Sequence, residues 1–340
     1  MRPERIGRSA LLFSAMLSAA WSPCCAAALS AAVDQLPPDV ETRFNAGQYH
    51  QAIEALQTAV KRNPTDASLE YWLGRSFFEI HDFTQSISSF EQAVKLDPNR
   101  SEYHDWLGRA CGRKADESSH SNMPAALRLA RRTHHEFEVA VQLNAANIQA
   151  RRDLISFIAN APRDLGGGEE EALEQINALS VVDPVEGTLA LADLYAVQKK
   201  FAQANEEYQK VLTSARNRVD AFLEAADYYR DRGDSEHMEQ AVQAAEKSAS
   251  SDRRLSYYRG VVLVLEKGNP ETAEKDLRAY IDDVPENSEI PSHSSAREWL
   301  GKLYENEKRL DLAVQEYQTA LALDPKNKAL REALKRLQHR

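Results

Sequence analysis

Three short segments of this chain contain residue types that could do chemistry: a glycine triplet, a histidine pair and a single cysteine. The triplet at 166–168 could bind phosphate through its backbone, but no Gly-Lys-Ser or Gly-Lys-Thr follows it. The glutamates at 169–171 follow instead; they would repel phosphate, and they suit the positive end of a helix dipole. The sequence therefore predicts a structural turn that leads into a helix.

The histidine pair, His134 and His135, is followed by Glu136 and matches a metal-binding motif only in composition. Adjacent residues of a helix point about 100° apart, so these histidines cannot share one ion as histidines at i and i+4 do. We interpret them as part of an exposed helix face. Cys111 stands at a position that packs inward, which favours a small buried side chain over a nucleophile. The sequence predicts no enzyme, no cofactor and no metal site.

A recurring motif organises the rest of the chain. The tetrapeptide Trp-Leu-Gly-Arg begins at Trp72 and again at Trp106, 34 residues later, and Trp-Leu-Gly-Lys begins at Trp299. A fixed period of this size is typical of stacked helix-pair repeats. Glycine inside a helix costs roughly 1 kcal/mol relative to alanine, so its recurrence indicates that a partner helix passes close by. In the last copy the motif continues with Tyr304, Ala313, Tyr317, Ala320 and Pro325.

These residues resemble the signature of the tetratricopeptide repeat (TPR). The resemblance implies an all-α, right-handed superhelical solenoid of about seven or eight helix-pair repeats, followed by a capping helix at 326–340. The repeat array spans 38–325, and its longer spacings indicate inserts near 114–126, 161–168 and 286–293. Because the first insert is polar and unpatterned, we expect a solvent-exposed loop there, and such a loop is an alternative binding surface.

The N-terminal segment has the composition of a secretory signal peptide. Arg2, Arg5 and Arg8 precede an apolar run at 10–21, and small residues follow at 24–28. We place the signal at 1–28 and a short tether at 29–37. An uncleaved anchor is a weaker alternative, because Ser22 and Pro23 interrupt the run before it could span a bilayer. A lipoprotein, modified at Cys24 or Cys25, is a second alternative.

The net charge and the cysteine content limit the class of partner and the cellular compartment. Loss of residues 1–28 removes three arginines and one glutamate from the 42 basic and 52 acidic residues, which changes the net charge from −10 to −12. Such a balance disfavours nucleic acid and anionic lipid as partners, because both require phosphate neutralisation. Cys111 would be the one cysteine left, so no internal disulfide could form. We expect an exported protein of the bacterial periplasm or envelope, without a membrane span after cleavage.

The resemblance also implies a protein or peptide partner in a concave groove lined by the first helices of the repeats. Aromatic residues recur just before the Leu-Gly pair, where they could anchor a ligand or pack between neighbouring first helices. Arginines in the early repeats suggest an acidic partner, but Glu79 or Asp105 could instead pair with them internally. The candidate groove residues are Tyr71, Trp72, Arg75, Asp105, Trp106, Arg109, Arg113, Asp227, Arg230, Tyr258 and Trp299.

Two functions fit this pattern. The first is a scaffold or adaptor of the cell envelope that binds its partner through the groove. The alternative is a structural spacer subunit of an envelope complex, with no exchangeable ligand. The lysine and asparagine positions by which some eukaryotic TPR co-chaperones clamp a C-terminal carboxylate are not matched here, so that activity is not expected.

The signal peptide leads to a direct prediction. Exported protein should begin within a few residues of Leu29, because the small residues before it suit cleavage. Intact mass and N-terminal sequencing of the exported chain would measure this. A retained Met1 would establish the anchor instead, and a diacylated Cys24 or Cys25 would establish the lipoprotein.

Overall fold

The structure, a computed structural model, describes residues 37–338 of the 340-residue chain. The predicted signal peptide, and the tether up to residue 36, lie outside these residues. The described part contains seventeen α-helices and a 3-10 turn, and no strand. This part divides into two compact units: the first ends at Tyr208, and the second begins at Gln209. The all-α class predicted from the repeat is therefore confirmed.

The first unit contains nine complete helices. They are α1 (Pro38–Asn45), α2 (Tyr49–Arg62), α3 (Ala67–Glu79), α4 (Phe83–Leu96), α5 (Ser101–Ser118), α6 (Met123–Leu143), α7 (Ile148–Asn160), α8 (Glu169–Val182) and α9 (Pro184–Val197). Helices that follow one another pack together as antiparallel pairs, for example α3 with α4 and α5 with α6. The first helix of each pair also contacts the first helix of the next, as α3 does with α5 and α5 with α7.

Helix α10 (Phe201–Ser214) crosses the boundary, and the second unit continues with seven more helices. They are α11 (Val219–Arg232), α12 (Ser235–Ser248), α13 (Leu255–Glu266), α14 (Pro270–Asp283), α15 (His293–Asn306), α16 (Leu310–Leu323) and α17 (Lys328–Gln338). In chain order, the described helices make eight helix pairs and one final helix. This number agrees with the seven or eight repeats that the spacing predicts.

Side-chain caps fix where many of these helices begin. In each case an aspartate, asparagine or serine just before the helix accepts a hydrogen bond from a backbone N–H of the first turn. Replacing such a cap by alanine typically costs about 1 kcal/mol. The capping residues are Asp66, Asp82, Asn122, Asn147, Asp183, Asp234, Asn269 and Ser292.

The motif glycines mark the closest helix contacts within a pair. A Cβ atom placed on Gly74 would lie 2.8 Å from the ring of Phe90, and one placed on Gly301 would lie 2.4 Å from Cε1 of Tyr317. Both rings are completely buried or nearly so. The expectation that glycine lets a partner helix approach is thus confirmed.

The first insert is not a loop. Helices α5 and α6 run for 18 and 21 residues, so they extend through most of 114–126 and leave only residues 119–122 between them. Ala115, Ala126 and Ala130 are buried along this extension. The loop prediction was wrong because alanines with such spacing are enough to pair two helices, although most of the residues around them are polar.

The second insert packs against α6, the helix that the first insert lengthens. Leu165, in the 3-10 turn, is 3% exposed and packs against Ala130 of the extended α6. Gly166 has φ +90°, and a Cβ atom there would lie 2.4 Å from the imidazole of His134. A Cβ atom on Gly167 would lie 1.7 Å from the carbonyl oxygen of Ala161. Larger residues are excluded at both positions, which confirms the structural role predicted for the triplet.

The last helix closes the second unit. Leu330, Leu334 and Leu337 of α17 are buried, and the helix packs against α16. Its charged residues lie on the other face, so α17 separates the last repeat from solvent as the terminal helix of a repeat array must. The third insert forms the connection between α14 and α15. Across 37–338, no helix combines the length and the apolar character needed to cross a membrane.

The close contact at Gly301 leads to a stability prediction. Gly301→Leu should lower the free energy of unfolding of the second unit by about 1–3 kcal/mol, because the larger side chain would displace Tyr317. Chemical denaturation followed by circular dichroism would measure the loss. Ala322→Leu adds the same side chain at an exposed position of α16 and is the matched control. Equal midpoints for both variants would contradict the helix contact.

Candidate partner-binding site

A buried cluster of three charged residues joins two first helices of the first unit. Arg109 of α5 is 2% exposed, and its Nε lies 2.7 Å from Oδ2 of Asp153 on α7. The same nitrogen lies 3.2 Å from Oδ2 of Asp105, one turn earlier on α5. Removing one member of a buried pair leaves an uncompensated charge, which typically costs 3–5 kcal/mol. Arg109 therefore acts inside the protein.

Two arginines on later first helices, Arg152 and Arg230, are also matched by carboxylates. Arg152 of α7 reaches Glu186 at 2.9 Å and Asp193 at 3.0 Å, both on α9. In the second unit Arg230 pairs with Asp227 and with Asp231. The internal pairing that the sequence analysis considered for the early arginines is thus confirmed for Arg109, which contacts Asp105.

The acids of the Arg109 cluster are difficult to ionise. Burial raises the pKa of Asp105 well above its usual range, and the nearby Asp153 raises it further, while Arg109 opposes both effects. Burial also raises the pKa of Asp153. In addition, Oδ1 of Asp105 is buried without a hydrogen-bond partner. With a proton on Asp105, the cluster of two acids and one guanidinium is electrically neutral.

The recurring aromatic residues mostly pack inside the protein. Trp106 is 6% exposed and makes an edge contact with Phe78 at 5.3 Å between ring centroids. Tyr258 is 2% exposed and donates a hydrogen bond to Asp227 at 3.1 Å. Trp299 is 9% exposed, and Nζ of Lys302 lies 3.9 Å from its ring centroid. At these three positions the packing alternative is confirmed.

Six of the eleven candidate groove residues are buried, so they do not line an open groove. Repeat spacing places a residue on a first helix, but packing against neighbouring helices decides whether that residue is covered. The buried residues are Asp105, Trp106, Arg109, Asp227, Tyr258 and Trp299. The half-buried residues are Tyr71, Trp72, Arg75, Arg113 and Arg230.

Arg75 lies in a recess walled by aromatic rings, which we name the Arg75 recess. Its guanidinium carbon is 3.7 Å from the ring centroid of Trp106. The rings of Trp72 and Phe44 lie at 5.4 and 5.5 Å. Nη1 donates a long hydrogen bond of 3.3 Å to the hydroxyl of Tyr71. The recess comprises Phe44, Tyr71, Trp72, Arg75 and Trp106, and the sequence pattern gave no sign that Phe44 belongs to it.

Unlike Arg109, Arg152 and Arg230, Arg75 has no counter-charge in the part of the chain that the structure describes. Within 37–338, no carboxylate forms an ion pair with it, and its Nε is buried without a hydrogen-bond partner. Arg113 is compensated more fully, because it is close enough to Asp116 to stabilise the ionised carboxylate. Burial nevertheless raises the pKa of Asp116 to about 6.

The other residues considered for chemistry have structural roles. Cys111 is fully buried, and burial raises the pKa of its thiol to about 12, which confirms the prediction of a buried side chain. His135 is exposed as expected, but His134 is half-buried and stacks on Phe157 at 5.2 Å. Within the described chain, no group of His, Cys, Asp and Glu side chains is placed to hold a metal ion.

The sequence gave no signal for a buried histidine, His104. Its Nδ1 lies 2.7 Å from Oε2 of Glu136, and its Nε2 lies 3.1 Å from the carbonyl oxygen of Pro98. Burial opposes the charged ring, but the two acceptors outweigh burial and raise the pKa of His104. This residue joins α5 to α6.

Comparison with known proteins identifies the family. The profile of the tetratricopeptide repeat matches residues 40–101, 223–288 and 258–328. These segments contain the Leu-Gly pairs at 73–74 and 300–301, with the rings of Phe90 and Tyr317 that contact them. The chain belongs to the tetratricopeptide repeat family.

Solved structures similar to this chain also include TPR proteins. One, from Parabacteroides merdae, has 17% sequence identity and a TM-score of 0.48; the match covers 80% of this chain and 98% of that one. Another, the Cut9–Hcn1 hetero-tetramer of the APC/C, has 12% identity and a TM-score of 0.47, and the match covers 88% of this chain and 54% of that one. The C-terminal part of a TPR protein from Cytophaga hutchinsonii has 15% identity and a TM-score of 0.40, with 87% and 98% covered. No curated protein matches the chain.

The Arg109 cluster leads to a prediction about pH. Because the pKa of Asp105 is raised in the folded state, this residue favours folding at acidic pH, and that contribution is lost as pH rises through the folded-state pKa. Asp105→Asn should therefore increase the free energy of unfolding at neutral pH, because the asparagine does not have to ionise in a buried site.

Urea unfolding of the variant and the unaltered chain between pH 4 and pH 8 would test this. The difference in stability should grow with pH. Asp282→Asn removes an exposed carboxylate of α14 and is the control, for which no such trend is expected. A variant that is less stable than the unaltered chain at pH 8 would show that ionised Asp105 stabilises the fold.

Proposed function

We propose that the mature chain is an exported interaction scaffold of the bacterial cell envelope, and that it binds a protein or peptide partner through α3 and α5. Membership of the TPR family supports the general role, because TPR proteins bind protein or peptide partners. The basic and apolar N-terminal segment supports export. The net charge of −10 supports a protein partner over nucleic acid.

One observation indicates where the partner binds. Tyr71, Trp72 and Arg75 are half-buried on α3, and they surround a recess whose floor includes the buried Trp106 of α5. Aromatic residues and arginine dominate interface hot spots, because they offer large contact areas with few rotatable bonds or several donors. On later first helices Arg109, Arg152 and Arg230 are matched by internal acids. We therefore name Tyr71, Trp72 and Arg75, together with Arg113, the α3–α5 face.

A spacer role is the second candidate, and a specific observation favours it. The ion pairs from Arg109 to Asp153 and from Arg152 to Glu186 connect successive first helices within the first unit. Buried, hydrogen-bonded pairs of this kind resist changes in helix position, which suits a rigid array. The two roles differ in whether the partner can be exchanged.

Site-specific crosslinking in intact cells tests the proposed face. A photoreactive benzoylphenylalanine at position 71 should give a partner adduct, whereas the same residue at Gln92 should give none. Gln92 is exposed on α4, the second helix of the same repeat, and is the matched control. Adducts from position 92 alone would place the binding surface on the second helices and refute the proposal.

The same material separates scaffold from spacer. A scaffold should release its crosslinkable partner when unlabelled protein is added in excess, and its adduct should return when the competitor is removed. A spacer should stay bound to its complex throughout purification, and Tyr71→Ala should not release it. Mass spectrometry of the adducts after a chase would record which behaviour occurs.

A further inference from the structure

We propose that the Arg75 recess binds the side-chain carboxylate of an aspartate or glutamate in an extended segment of the partner. This inference rests on the proposed function, because it assigns a ligand chemistry to the α3–α5 face. It differs from binding of a C-terminal carboxylate, which is an outcome that the experiment below can distinguish.

The hydrogen-bonding capacity of Arg75 is largely unused. A guanidinium carries five N–H donors, and it cannot lose its charge at physiological pH. Arg75 makes one long hydrogen bond, from Nη1 to the hydroxyl of Tyr71 at 3.3 Å. The Nε–H group is buried and has no partner. Because Nε is buried, a ligand would meet the guanidinium through its Nη donors, and at this half-buried position an acceptor gains more than at an open surface.

The aromatic walls hold the guanidinium in a defined orientation. At 3.7 Å from the Trp106 centroid, the guanidinium carbon is in direct contact with the indole face. Trp106 is itself held by Phe78, at 5.3 Å in an edge contact. A guanidinium packed on a ring keeps the N–H donors along its own edge. A planar carboxylate can accept two parallel hydrogen bonds from those donors. The recess therefore suits a flat, singly charged acceptor.

The charge around the recess also favours an anion. Arg109 packs on the same indole, at 4.4 Å, but it is matched by Asp105 and Asp153. Arg75 has no such acid among residues 37–338, so its positive charge is uncompensated in a chain of net charge −10. Because the side chain is half-buried, solvent screens this charge less than at a fully exposed position. The recess therefore attracts a carboxylate although the whole chain is acidic.

A peptide library displayed on the minor coat protein of a filamentous phage tests the inference with the full chain as bait. Peptides displayed in this way have no free C-terminus, so a selected carboxylate must come from a side chain. Selected peptides should be rich in Asp or Glu. When made synthetically with C-terminal amides, they should bind Arg75→Gln about tenfold more weakly or worse, equivalent to about 1.4 kcal/mol.

Three variants make the result specific. Arg75→Lys keeps the charge but loses the planar donors, so affinity should fall to an intermediate value. Arg131→Gln removes an exposed arginine of α6 and is the matched control, for which the dissociation constant should not change. Replacing the peptide's key acid by its amide should weaken binding to the unaltered chain but not weaken it further for Arg75→Gln. Circular dichroism and urea midpoints establish that each variant is folded.

The possible failures point to different conclusions. The selected peptides could lack acids, bind Arg75→Gln normally and fail to bind Tyr71→Ala. That result would overturn the carboxylate inference and leave the proposed face intact. Peptides insensitive to both changes would overturn the α3–α5 face itself. Selected peptides that bind weakly as C-terminal amides, but tightly and through Arg75 when made with a free C-terminal acid, would replace the side-chain carboxylate by the chain terminus. Selection of no peptide at all would count against both proposals.

Discussion

The burial of Arg109 between two carboxylates is the interaction on which the first unit depends. A guanidinium taken out of water requires acids in hydrogen-bonding geometry, and Asp153 on α7 supplies one at 2.7 Å. That distance fixes α7 relative to α5, because apolar contacts alone are tolerant of small shifts whereas charged hydrogen bonds are not. Trp106 packs against the same guanidinium and becomes the floor of the Arg75 recess.

Arg75 and Arg109 occupy the same position in successive repeats, but only Arg109 is neutralised by internal acids. Arg75 and Arg109 both follow the motif glycine directly, and both lie on the indole of Trp106. One is 2% exposed and satisfied by internal acids, whereas the other is half-buried and has an unpaired Nε. The same motif position thus stabilises the fold in one repeat and remains open to a ligand in the preceding repeat.

Two inserts give the first unit structure that the repeat itself does not contain. The residues at 114–126 lengthen α5 and α6, and the turn at 161–168 folds back so that Leu165 packs against Ala130. Neither segment has the apolar periodicity of a repeat helix, and the turn is covered because it packs on Leu127 and Ala130 of α6. This contact is invisible when each segment is considered separately.

The sequence by itself determined the helix-pair repeat, the close helix contact at the motif glycine and the final capping helix. These features depend on residues at most a few turns apart or on one repeat period, so spacing alone reveals them. Only the tertiary structure decided which first-helix side chains are covered. Asp153 meets Arg109 across 44 residues, and Phe44 meets Arg75 across 31, through angles between helix pairs that no local pattern encodes. Charge pairing and exposure follow from those angles, and they are what distinguish a packed arginine from one that can bind a partner.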